Sequence, residues 1–205
     1  MRLYYRFIQA RLQWLTTPYN KMLCILHGVK FGSNFHTRGL LKIRNYSGEG
    51  GIFIGNNVNI NSCINADPIG CDNMTIFHTN HGGKIRIGNN VGMSNIAITA
   101  FDSVEIGDYS TIGAGVRIYD TDFHPIDALA RQTGNHGVQS KPVSIGKHTF
   151  IGAKAIILKG VSIGDYSIVG AGAVVTKSIP SNQIWAGNPA EFIKVISDDK
   201  ESVKE

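Results

Sequence analysis

Seven histidines are spread over the 205 residues of the chain, and one of them, His124 in "YDTDFHP", follows two aspartates in a stretch with loop character. A neutral imidazole can take a proton from a hydroxyl near pH 7, and a partner on its other ring nitrogen fixes the tautomer that does so. Asp120 or Asp122 could be that partner and so could a backbone carbonyl, while the plain alternative is an exposed loop histidine with no task. Nucleophilic chemistry has less to draw on, because GxSxG is absent and Cys71 with His78 is the one thiol near a histidine in a loop context. "HTNH", with His78 and His81, could add two ligands to Cys71, but the spacing matches no common zinc signature and no metal is expected. His136 is a candidate to line an acceptor site, whereas His27, His36 and His148 read as surface or cap residues. A P-loop and a CxxC pair are also missing.

A reactive loop needs a rigid frame, and one is legible directly after it. In "VSIGKHTFIGAKAIILKGVSIGDYSIVGAGAVV", residues 143–175, aliphatic side chains recur every six positions, at Ile145, Ile151, Ile157, Ile163, Val169 and Val175. A helix would bring them back about every 3.6 positions and a strand about every 2, so the period belongs to the architecture. Gly146, Gly152, Gly164 and Gly170 each follow an aliphatic position, and a small or short branched residue comes four places on, at Thr149, Ala155, Val161, Ser167 and Ala173. That is one short strand and one tight turn, and three such units close a triangular coil of about 18 residues, stacked at about 4.8 Å. The expected fold is an all-β solenoid, a parallel β-helix of hexapeptide repeats. Upstream, Ile54, Ile60, Ile87, Met93, Ile106, Ile112 and Ile118 keep the register, with a slip between Met93 and Ala100 and an irregular stretch over 66–84. The longest break, 119–142, carries His124 and reads as an excursion loop from the scaffold, a usual place for function.

The rest of the chain agrees with one solenoid and a cap. It is 42% hydrophobic and 17% charged, and its 24 glycines exceed the share of an ordinary soluble chain without a collagen-like triplet. Three cysteines, Cys24, Cys63 and Cys71, are odd in number and suggest a reducing, cytoplasmic compartment with all three thiols free. Residues 1–48 hold eight Lys or Arg and no Asp or Glu, so the formal charge of +5 is local. Leu3, Phe7, Ala10, Trp14, Met22 and Ile25 fall on one helical stripe interrupted by Pro18, which predicts two short helices. This region either caps the open end of the solenoid or rests on anionic lipid through residues 1–20. No run reads as a signal peptide or reaches the length of a membrane span. No nucleic-acid module surrounds the basic residues. The expected domains are a basic helical cap region at 1–48, the β-helix at 49–188 with its excursion, and a C-terminal extension at 189–205.

From Lys141 to Ile196 the chain closely resembles the C-terminal part of the hexapeptide-repeat acyltransferases, in particular those that O-acetylate sugars and bacterial surface polysaccharides. The ending "VVTKSIP" followed by "AGNPA" is the specific part of the resemblance. It implies a left-handed β-helix, a homotrimer, acetyl-CoA in the groove between subunits and a carbohydrate acceptor. His124 falls where the family carries its catalytic histidine, with direct transfer rather than an acyl-enzyme. Asn95 falls near an acceptor-contacting asparagine and Phe150 where a Trp is frequent. Ala153 and Ala171 match positions that let pantetheine approach the wall, and Thr176, Lys177 and Lys194 match positions near the nucleotide end. Glu191 departs from the pattern, standing where a basic residue is common.

The expected activity is therefore O-acetylation of a sugar hydroxyl in capsule, lipopolysaccharide or exopolysaccharide, in the cytoplasm and at the inner face of its membrane. A small sugar, a nucleotide-linked amino sugar or an antibiotic are the alternative acceptors. A non-catalytic β-helix scaffold is the alternative class.

Overall fold

The computed structural model describes residues 2–63, 69, 74–134 and 136–196, with side chains from Trp14 onward. Cys71, the side chains on the first half of the basic N-terminal stripe and the tail beyond Ile196 lie outside the described residues. Strands of two to five residues run in succession onto three faces. The first face has six strands, from Lys30–Phe31 to Ser162–Ile163, and the third has six, from Lys42–Asn45 to Val174–Val175. The second has eight, from His36–Arg38 to a final hairpin of Gln183–Ala186 and Glu191–Val195. Among the described strands every pairing between coils is parallel, and the antiparallel pairings are the terminal hairpin and a bridge from Thr121 to Ser140. The chain is a left-handed parallel β-helix of hexapeptide repeats with a helical N-terminal segment.

The repeat works because each inward residue stacks on its equivalent one coil away. Ile54, Ile87, Ile106, Ile145 and Ile163 form one such column, and Phe77, Ile98, Ile118, Ile157 and Val175 form another. All are buried, and burying an aliphatic side chain stabilises by about 1.5–3 kcal/mol. The expected slip is a step of five residues from Met93 to Ile98 instead of six. At one corner the chain turns through left-handed residues in every coil, among them Asn57, Asn90, Tyr109, His148 and Tyr166. Side-chain ladders offset the strain of these non-glycine positions. Asn57 Nδ2 donates to Asn90 Oδ1 at 3.1 Å, and the His148 ring lies parallel between Tyr109 and Tyr166 at 4.9 and 4.8 Å.

Three expectations change. The coil begins at Lys30 rather than at residue 49, since Phe31, Thr37 and Ile43 already occupy inward positions six apart. Thr37 hides the pattern because it is polar, and it is polar because α1 (Arg2–Leu26) covers it. Asn20 Nδ2 donates to Thr37 Oγ1 at 2.8 Å, and Thr17 Oγ1 both accepts from Thr37 N and donates to Thr37 O. Second, α1 is one helix, continuous through Pro18. The buried anchors Thr17, Asn20 and Cys24 on either side of Pro18 hold both parts of the helix to the first coil and offset the lost backbone bond. Third, the described part of the C-terminal extension, 189–196, holds a strand, Glu191–Val195, paired to the second face.

Candidate active site

Just after three successive strands of the second face the residues are small. Gly113, Gly152 and Gly170 stack in one column, and Ala114, Ala153 and Ala171 in the next. The fold itself demands the glycines, since a Cβ on Gly152 would lie 2.5 Å from the backbone nitrogen of Ala171. Together these columns floor a groove of about 650 Å³, walled by Phe150, Thr111 and Ile168 and reaching Arg38. Ala153, Ala171 and Phe150 therefore share one site.

At the corner between the second and third faces sits Asn95, in the left-handed conformation with φ 48°. Its backbone nitrogen donates to Asn61 O at 2.8 Å, and its carbonyl accepts from Arg117 Nη1 at 3.5 Å. The side-chain amide is fully buried, and neither Oδ1 nor Nδ2 has a partner among the described residues. An unpaired buried amide costs about 1–3 kcal/mol, which suits a position that serves a ligand better than one that only caps a turn.

The excursion leaves the third face after Arg117–Tyr119 and is tied at its neck. Lys141 N donates to Asp120 O at 2.8 Å, Asp122 N to Gln139 O at 3.1 Å, and Thr121 bridges Ser140. Within it, α2 (Ala128–Thr133) starts at Asp127, whose Oδ1 accepts from Ala130 N at 2.8 Å. Arg131 Nη1 donates to Pro125 O at 2.8 Å and so fixes the segment just after His124. His124 is exposed, and its backbone N–H donates to Asp122 O at 2.7 Å. Phe123, left-handed with φ 62°, packs its ring edge-on against Tyr119 and Phe101.

The two candidate carboxylates have distinct tasks. Asp120 is fully buried, and its oxygens accept from Phe101 N at 2.8 Å and Asp102 N at 2.7 Å, so it braces the turn one coil below. Burial pushes its carboxyl above the usual range, against the lowering effect of these bonds. Asp122 pairs with Lys159 Nζ at 2.8 Å, both side chains being a quarter exposed. His136 lines a separate hollow of about 680 Å³ beneath the excursion, together with His81, Phe101 and Phe123.

His78 packs edge-on against Tyr46 and Phe101, and burial, followed by the nearby Arg44, pushes its imidazole below the ordinary range. No cluster of three His, Cys, Asp or Glu able to hold a metal forms among the described residues. Burial raises the Cys24 thiol to about 12, which leaves it inert. Thr176, Lys177 and Lys194 are exposed, Thr176 and Lys177 after the last strand of the third face and Lys194 on the terminal hairpin. Sequence reasoning missed Arg117, Tyr119 and Arg131. The first two had no signal beyond flanking the inward Ile118, and Arg131 had none because its task is to bind carbonyls of its own loop.

Residues 142–177 match a family profile described as the hexapeptide repeat of succinyl-transferase. Over 115 residues the chain is 51% identical to nodulation protein L of Rhizobium leguminosarum bv. viciae, covering 56% of this chain and 59% of that protein. Over 120 residues it is 39% identical to galactoside O-acetyltransferase of Escherichia coli (strain K12), covering 58% and 57%. The matched segment thus spans about three fifths of these relatives. Among solved structures, a hexapeptide-repeat containing acetyltransferase from Vibrio cholerae is 22% identical with a TM-score of 0.60, covering 96% of this chain and 91% of that one. An N-acyltransferase from Bacillus cereus, solved with dTDP and 3-hydroxybutyryl-CoA, is 23% identical with a TM-score of 0.66, covering 87% and 88%. The chain carries the hexapeptide repeat and folds as the left-handed β-helix of the hexapeptide-repeat acyltransferases.

Proposed function

We propose that the protein is an acetyl-CoA-dependent O-acetyltransferase that modifies a sugar hydroxyl of a bacterial surface polysaccharide. The observation that carries this reading is the second-face groove floored by Ala153 and Ala171; Ser94, the residue before the buried and unpaired Asn95, also lines it. Likeness over 58% of the chain to a galactoside O-acetyltransferase supports the carbohydrate acceptor.

Acetyl-CoA supplies an activated acetyl thioester. The small column at Ala153 and Ala171 lets the pantetheine arm lie against the coil, with Phe150 as a side wall, while Thr176, Lys177 and Lys194 meet its nucleotide end. Asn95 holds the acceptor, while His136 lines the separate hollow beneath the excursion. His124 takes the proton from the acceptor hydroxyl as its oxygen bonds to the acetyl carbon, and the carbon–sulfur bond breaks. The leaving sulfur takes up the proton from the imidazolium, so no residue is left acylated. Asp122, two residues away and held by Lys159, is the better placed carboxylate to steady the imidazole, because both oxygens of Asp120 serve the turn at Phe101 and Asp102.

A groove on an outer face needs a second wall, which a neighbouring copy supplies in a homotrimer. Among the described residues no helix is long and apolar enough to cross a membrane. The exposed side of α1 suits contact with the inner face of the cytoplasmic membrane, where polysaccharide units are assembled on lipid carriers.

The test is acetyl transfer from acetyl-CoA to a panel of surface glycans, small sugars, nucleotide-linked amino sugars and aminoglycosides, read as thiol release and product mass. An alkali-labile ester on a glycan is expected. Stable amide products alone would move the reading to an N-acetyltransferase, and no turnover on any acceptor would leave a scaffold.

A further inference from the structure

Three cations gather on the third face for which the transfer of a neutral acetyl group gives no reason. The strand pairings place Lys42, Ile76, Ala97 and Arg117 side by side in one outward row, and Arg44, His78, Thr99 and Tyr119 in the next. Ala97 and Thr99 are short and the residues on either side are long, so a cleft of about 270 Å³ opens over them. Phe123, the residue before His124, closes one side. No carboxylate lines this cleft. Among the described residues the ion pairs are Lys30–Glu49 and Lys159–Asp122, which leaves Lys42, Arg44 and Arg117 without an acidic partner.

The arrangement is also held in place. Arg117 Nη1 donates to the carbonyls of Gly115 at 3.1 Å and Val116 at 3.3 Å, which fixes the guanidinium at the rim with its other donors unspent. Burial, and after it the nearby Arg44, pushes the His78 imidazole below its ordinary range, and its ring forms part of the wall. Tyr119, Phe123 and His78 give flat faces and edges on which a sugar ring can pack, and a planar guanidinium pairs well with carboxylate or phosphate oxygens.

We propose that this cleft binds the charged group of an anionic carbohydrate, a sugar phosphate or a uronate, and so selects an acidic acceptor for the transfer. The proposal rests on the acetyltransferase reading for its role, but not for the binding itself. Calorimetric titration of the full chain with glucose 1-phosphate, glucuronate and glucose tests it. The two anions should bind about 10²-fold more tightly than glucose, less so as added salt shortens the screening length from ~10 Å to ~3 Å. A preference between the two anions names the source of the charge. In the double variant Lys42→Gln/Arg44→Gln the advantage should fall to tenfold or less. Equal affinity of the wild-type protein for all three probes overturns the proposal, as does undiminished selectivity in a folded double variant. Acetylation assays on the same probes separate the two readings. Selective binding of anions with no acetylation of any acceptor keeps the cleft and removes the transferase, whereas equal kcat/KM for glucose and the anionic sugars does the reverse.

Discussion

Within the excursion Arg131 grips the carbonyl of Pro125 next to His124, the left-handed Phe123 is wedged against Tyr119 and against Phe101 of the coil below, and the backbone of Asp122 accepts the His124 N–H. Such a residue can be removed without touching the coil. His124→Ala should lower kcat by roughly 10²–10⁴ with KM for acetyl-CoA little changed, and near-wild-type turnover in steady-state assays would remove its role as base. Asp120 is the opposite case, a buried carboxylate spent on structure. Replacing it by Asn sets an NH2 group, which cannot accept as a carboxyl oxygen can, against one of the two backbone donors and should cost about 1–3 kcal/mol. Since burial raises its folded pKa, its contribution is fully present below the ordinary carboxylate value and is lost as pH rises through the raised one. The stability gap between wild type and Asp120→Asn should therefore be widest near pH 4 and narrow towards neutrality. A gap in thermal denaturation that widens with pH would contradict this sign.

At the scale of elements, α1 divides its surface in two. Thr17, Asn20 and Cys24 face the first coil, while Trp14, Leu15, Tyr19, Met22, Ile25 and Leu26 on the outward side are all exposed, Trp14 and Leu26 at 73%. Exposed apolar residues in such a row mark a contact surface. With eight basic and no acidic residues in 1–48, anionic lipid is the surface that fits, at up to about 1 kcal/mol per basic residue. Vesicles containing anionic lipid should bind the protein and neutral ones should not, with a blue shift of tryptophan emission that salt weakens. Trp14→Glu with Leu15→Glu should abolish binding while sparing the anchors at Thr17 and Asn20, which deletion of residues 1–20 would destroy. Sedimentation with vesicles that gives no difference between the two lipids would leave α1 as a cap only.

For the molecule as a whole, the groove over Ala153 and Ala171 lies on an outer face, and at the end of the same sheet the hairpin strand Glu191–Val195 leaves Phe192, Ile193 and Val195 about half exposed. Both features favour a neighbour that covers the hairpin and supplies a second wall. Analytical ultracentrifugation should give a homotrimer at micromolar concentration. Charged substitutions at Ile193 and Val195 should break it into monomers that lose acetyl transfer. A fully active monomer would refute the shared site.

The hexapeptide coil was legible from residues 143–175 because its code is local: every sixth side chain points inward and meets the same kind of residue one coil away. The small columns at Ala153 and Ala171 follow from the same periodicity, and so did the excursion, as the place where the period stops. The sequence could not show that Lys42, Ile76, Ala97 and Arg117 are neighbours, because they are 34, 21 and 20 positions apart and the unequal loops between them hide the register. Nor could it show that Asp120 braces a turn, that Pro18 leaves α1 unbroken, or that Thr37 is an inward position. Each of these depends on what lies one coil above or below, and strand pairing sets that distance at about 4.8 Å however many residues intervene.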